Sequence, residues 1–241
     1  MNAFAAASGA DCRVIRSCLD TDFYKLLMAQ SVLRHRPDVE VTFALVNRTR
    51  SVRLAEELDR AELEAELEHV RTLRLSSEEG RALARLSVDG KGLFPEAFVQ
   101  AFAAIRLPPF HLAVRDGQFE LSFTGSWPTV MPWEVPALAT ITELRSRTVL
   151  RRLPAAERRR VLAAARKRLD EKLRRLARLE GLRLADFGTR RRHSFAWQEE
   201  AVLLAHDRLG EAFLGTSNVL LAIGHGLRPI GTLAHELPMV Y

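Results

Sequence analysis

No stretch of this 241-residue chain approaches the roughly 18 consecutive apolar residues that cross a bilayer, so no membrane span is expected. The opening MNAFAAASGADC carries an acidic Asp11 and lacks both a basic start and a clean apolar run, so it does not read as a signal peptide. Cysteine is scarce: Cys12 and Cys18 have no second pair beside them to make a zinc site or a disulfide framework, which suits a reducing cytoplasm. An acidic excess is lacking too. The net charge is +6 and the isoelectric point about 10.0, which favours anionic partners such as nucleic acid, phosphorylated metabolites or acidic surfaces without choosing among them.

What is present is enough apolar sequence for one large domain or two smaller ones. CLDTDFYKLLMAQSVLRH starts with Asp20 or Thr21 as a helix cap and continues with Phe23, Leu26, Leu27 and Gln30 at helical spacing. VEVTFALVNRT reads as a strand that delivers Asn47 and Arg48 at its end. From Leu54 to Arg74 a helix carries Leu58, Leu63, Leu67 and Val70 on one stripe; SSEE opens a capped helix and FPEAFVQAFAAI a short one. FHLAVRDGQFELSFTG alternates around Asp116-Gly117, as a hairpin requires, and the segment with prolines 128, 132 and 136 settles into a helix. PAAERRRVLAAARKRLDEKLRRLARLEG carries much of the arginine and ends at Gly181. It is read either as a solvated surface helix or as a surface for nucleic acid or a partner. Strand and helix then alternate to the end, the pattern of parallel sheets and barrels, with FGTRRRHS, GTSN and GTLAHE in the loops after strands. Taken singly these loops are weak: a capped turn, an exposed basic turn, a lone histidine. Jointly, guanidinium groups, hydroxyls and an imidazole at one mouth suit an anion.

Five ordered motifs, DTDFYKL, PWEVPALATITEL, DFGTRRRHS, GTSNVLLA and PIGTLAHE, resemble nicotinate phosphoribosyltransferase over nearly the whole chain from Leu19. The resemblance implies a mixed sandwich-like α+β domain joined to the first βα units of an irregular α/β barrel, with the barrel incomplete. The division expected is 1–18 as a flexible N-terminus, 19–153 as the mixed domain, 154–181 as a basic linking helix and 182–241 as the first barrel units. The implied reaction joins nicotinate and phosphoribosyl pyrophosphate to give nicotinate mononucleotide and pyrophosphate, in NAD biosynthesis, with ATP acting through a phosphohistidine. By the same resemblance His235 takes the phosphate and Glu236 holds its other ring nitrogen. Phe187 stacks on the pyridine, and Tyr24 covers its opposite face from the neighbouring subunit of a homodimer. Arg190 and Arg192 meet the donor's phosphates, and Thr216, Ser217 and Thr232 surround the nicotinate carboxylate. No metal ligand is assigned here, the magnesium ligands being expected in a later segment that this sequence does not contain. The alternatives are an inactive or partner-binding remnant of the enzyme and, behind it, a nucleic-acid-binding protein using the basic helix. The end inside a barrel leads us to expect poor solubility or self-association and no turnover from the chain alone.

Overall fold

A computed structural model describes residues 13–88, 90–232 and 235–240. Helix α1 (Phe23–His35) is followed by β1 (Glu40–Ala44), α2 (Leu54–Glu57), α3 (Arg60–Thr72), α4 (Ser77–Ala84), the two-residue strands β2 (Ser87–Val88) and β3 (Lys91–Gly92), and α5 (Glu96–Ala104). Then come β4 (Phe110–Arg115), β5 (Gln118–Ser126), α6 (Trp127–Val130), α7 (Glu134–Arg151) and α8 (Ala155–Leu176). The last part holds β6 (Leu184–Asp186), α9 (Phe195–Leu209), β7 (Phe213–Thr216), α10 (Val219–His225) and α11 (Glu236–Val240). The class is mixed α/β, and the described residues form no closed barrel. No helix among them is long and apolar enough to cross a membrane.

The hairpin forms where the alternation places it. β4 and β5 pair antiparallel from Phe110↔Phe123 to Arg115↔Gln118, and the turn holds Asp116 at φ 50° and Gly117 at φ 73°, the two left-handed residues that a tight hairpin turn requires. β1 adds to the other side of β5. Phe119, Leu121 and Phe123 bury one face of this sheet against α7 and the Leu63–Leu67–Val70 stripe of α3, with Trp133 stacked on Phe123 at 4.5 Å. The stretch expected as one helix from Leu54 divides in two, because Asp59 turns out to be a cap: its carboxylate accepts the amides of Ala61 and Glu62 and starts α3 anew. SSEE forms a full capping box between Ser76 and Glu79.

A second core gathers α1, α5, α9, α10 and β7. β6 and β7 run parallel, and residues 228–230 continue the array: the Thr216 amide donates to Arg228 O at 3.3 Å and the Ile230 amide to Thr216 O at 2.9 Å. Gly215, at φ 132°, permits this approach, since a Cβ there would meet Arg228 O at 2.0 Å. The expected flexible N-terminus is corrected for residues 13–18, where Val14 and Ile15 are fully buried and the Val14 amide donates to Glu66 at 3.0 Å; residues 1–12, Cys12 among them, lie outside the described residues. The basic segment is helical from Ala155 to Leu176, stopping before Gly181. Its nine basic and three acidic side chains make a net +6, and Leu173 is its one buried residue.

A candidate site where the first helix meets the parallel strands

Residues 19–23 lie along 217–220. The Phe23 amide donates to Ser217 O at 2.6 Å, Val219 N to Thr21 O at 3.0 Å and Leu220 N to Leu19 O at 2.9 Å. This seam brings the acidic motif before α1 against the loop after β7, and the side chains respond. Asn218 caps α10 through Leu221 N at 3.0 Å and donates to Asp20 at 2.8 Å, while Ser217 donates to Asp22 at 2.7 Å and Thr216 to Asp186 at 2.7 Å. Arg192 reaches the same cluster, forked onto Asp20 at 2.6 and 2.9 Å and donating to Val14 O at 2.8 Å, with Nε 3.4 Å from Glu143. All of these side chains except Asp186 are buried.

Beside the cluster a cleft of about 830 Å³ opens, walled by β1 and by Tyr24, Glu134, Arg190, Thr232, His235 and Glu236. Its charges form a chain. Arg190 lies 3.3 Å from Asp22 and 2.9 Å from Glu134; Glu134 also contacts the ammonium of Lys25; and Lys25 holds Glu236, whose other oxygen accepts from Trp127 Nε1 at 2.6 Å. Burial pushes the Asp22 carboxyl above its usual range, with Ser217 and Arg190 opposing. Burial acts the same way on Glu134, but Lys25 and Arg190 outweigh it and hold that carboxyl low. Burial and the nearby Glu134 raise the Tyr24 phenol. Both cations of the chain are thus matched by carboxylates, and an incoming anion meets Arg190 in competition with Asp22 and Glu134.

The structure gathers Tyr24, Arg190, Thr232, His235 and Glu236 at the cleft. It does not bring Phe187 to that lining: the ring follows β6 and is 40% exposed. Arg192, expected at the donor's phosphates, is a buried counter-ion here, its guanidinium held by Asp20 and sealed from solvent. Thr216 and Ser217, expected around the nicotinate carboxylate, give their hydroxyl protons to Asp186 and Asp22, and both residues are fully buried. Glu236 does not hold the His235 ring; its oxygens face Lys25 and Trp127. Tyr24 is 3% exposed within its own chain, with the Arg190 guanidinium 5.7 Å from its ring centre.

Sequence reasoning passed over Asp20, Asp22, Lys25, Glu134, Asp186 and Asn218. The signal was inside the quoted motifs. A lysine among Phe23, Leu26 and Met28 faces the core, and a lysine so placed demands carboxylates, which DTDFYKL and PWE supply. No group of three or more His, Cys, Asp or Glu among the described residues is arranged to hold a metal ion.

A family model described as the nicotinate phosphoribosyltransferase N-terminal domain matches residues 19–142, and one described as the nicotinate phosphoribosyltransferase family matches residues 182–241. Among solved structures, a nicotinate phosphoribosyltransferase from Porphyromonas gingivalis is 28% identical with a TM-score of 0.75, over 92% of this chain and 55% of that one. One from Vibrio cholerae is 28% identical, TM-score 0.75, over 94% and 52%. A putative nicotinate phosphoribosyltransferase from Saccharomyces cerevisiae is 27% identical, TM-score 0.74, over 95% and 56%. The chain therefore spans about half the length of these relatives.

Proposed function

Because the chain belongs to the nicotinate phosphoribosyltransferase family, we propose that it serves the transfer of a phosphoribosyl group from phosphoribosyl pyrophosphate to nicotinate, in NAD biosynthesis. The observation that carries this reading is the composition of the cleft. Tyr24 and Glu134 come from the first matched segment and Arg190, Thr232 and His235 from the second, and all of them meet around one space large enough for a substrate. The two matched segments also fall within the expected units 19–153 and 182–241, which supports that division, and the parallel run of β6, β7 and 228–230 supports a partial barrel.

The pyridine nitrogen of nicotinate attacks the anomeric carbon of the donor as pyrophosphate leaves, so positive charge grows on the sugar while negative charge departs. Arg190, 37% exposed at the cleft, is the cation placed to receive that anion, releasing Glu134 or Asp22 as it does. Released carboxylate then faces the sugar, where a growing positive charge favours it. Thr232 offers a hydroxyl at the opening, and His235 stands exposed at the rim, open to phosphoryl transfer from ATP. Magnesium finds no cluster of ligands among the described residues, and no step here depends on it. A soluble homodimer with Tyr24 and Phe187 meeting across subunits is the assembly this reading favours, since one chain does not place Phe187 at the cleft.

The test incubates the full chain with labelled ATP, nicotinate and the donor, and follows acid-labile phosphate on the protein and nicotinate mononucleotide in solution. Label that disappears in His235→Ala supports the assignment; label that persists sends the acceptor role to His193. A second reading, that the chain binds nicotinate without turning it over, is supported by nicotinate bound by the chain with product formed only after mixing with the C-terminal half of a relative.

A further inference from the structure

We propose that Lys25 is a positioning residue for His235: its ammonium clamps the Glu236 carboxylate and so sets where the neighbouring imidazole stands at the rim of the cleft. The meaning of that position rests on the function proposed above, but the clamp itself is read from geometry. The Lys25 side chain is 3% exposed, yet it comes from the middle of an apolar helix face, among Phe23, Leu26 and Met28. Its two carboxylate partners come from different parts of the chain, Glu134 at the first residue of α7 and Glu236 at the first residue of α11. One buried cation thus ties three helices together.

The hold matters most for α11. That helix is five residues long and has no buried residue, so packing alone fixes it weakly; Leu237 and Val240 rest on the core only in part. The Glu236 carboxylate is its polar anchor, held by Lys25 on one oxygen and by Trp127 Nε1 on the other. His235 is joined directly to that anchor, and its carbonyl accepts the Met239 amide at 3.1 Å to form the first turn. Removing the ammonium leaves Glu134 and Glu236 without the charge that reconciles them, and two carboxylates so exposed to one another move apart. Glu134 keeps a full positive charge in Arg190 whereas Glu236 keeps only the neutral Trp127 N–H, so Glu236 is the one that loosens, carrying His235 with it.

Hydrogen exchange of the full chain without substrates tests the clamp. Lys25→Met and Glu236→Gln should each speed exchange in the 235–240 peptide roughly tenfold, a coupling of about 1.4 kcal/mol, while the 134–151 peptide keeps its rate. The double variant should stay near tenfold, because both changes remove one interaction. A hundredfold rate in the double variant, or no change in Glu236→Gln, overturns the proposal; the second readout decides it even should Lys25→Met fail to fold. With ATP added, Lys25→Arg should restore the wild-type rate of His235 labelling, whereas Glu236→Gln should lower that rate with the half-saturating ATP concentration unchanged. Wild-type chain that takes no label defeats the assignment of His235 and leaves the exchange result standing on its own.

Discussion

Arg192 and Arg190 stand two positions apart in one basic loop and lead opposite lives. The 3₁₀ turn at Thr189–Arg191 points one guanidinium to the cleft and draws the next long side chain inward to Asp20. Sequence shows a run of arginines; which of them meets a carboxylate depends on a partner 172 positions away, and no local pattern carries that. Arg192→Gln should therefore act on stability, costing about 3–5 kcal/mol by leaving Asp20 buried without its cation, as read from the urea midpoint. Glu134 gives a sign that can be checked by pH. Its folded value is depressed, so it contributes stability above the ordinary glutamate value of 4.5 that is lost as pH falls through the folded value. Asp22 works the other way, since its raised value makes ionisation above 3.8 oppose folding. Glu134→Gln should accordingly flatten the fall of the urea midpoint as pH drops below 4.5, and an unchanged slope would detach Glu134 from Lys25 and Arg190.

Elements were legible where their signals were local. The alternation around Asp116-Gly117, the Ser76–Glu79 box and the Leu63–Leu67–Val70 stripe each depend on residues within a turn or two, and each formed. The start of α1 was not legible: Asp20 and Thr21 both look like caps, but the helix begins at Phe23 because Asp20 is drawn to Arg192 and Asn218 and Asp22 to Ser217. Long-range partners overrode the local preference. Asn218 shows the same competition resolved in both directions at once, since it caps α10 and also ties that helix to Asp20 and Thr189. Asn218→Ala should cost about 2 kcal/mol, more than a surface cap, in a denaturation measurement. For α8 the periodicity showed a helix and left its use open; the helix holds as much net charge as the whole chain, and it falls between the two family-matched segments.

At the scale of the molecule, the alternation of strand and helix after residue 182 indicated parallel pairing, and β6, β7 and 228–230 pair in parallel. How far such an array continues is a property of strands that periodicity within this chain does not reach. The two cores are joined through one short segment, with Trp127 in one and Trp133 in the other, and with the Lys25 clamp and the buried cluster between the first helix and the last strands. Melting followed by tryptophan fluorescence and by far-ultraviolet dichroism should give one shared midpoint; separated midpoints would mean that the cores unfold independently. The seam between residues 19–23 and 217–220 has a consequence in time. During synthesis at about 5–20 residues per second, the first helix emerges roughly 10–40 seconds before the loop that completes its hydrogen bonds. Until then Asp20 lacks Asn218 and Asp22 lacks Ser217, so the first helix waits with its two acidic side chains short of partners that only the later strand brings.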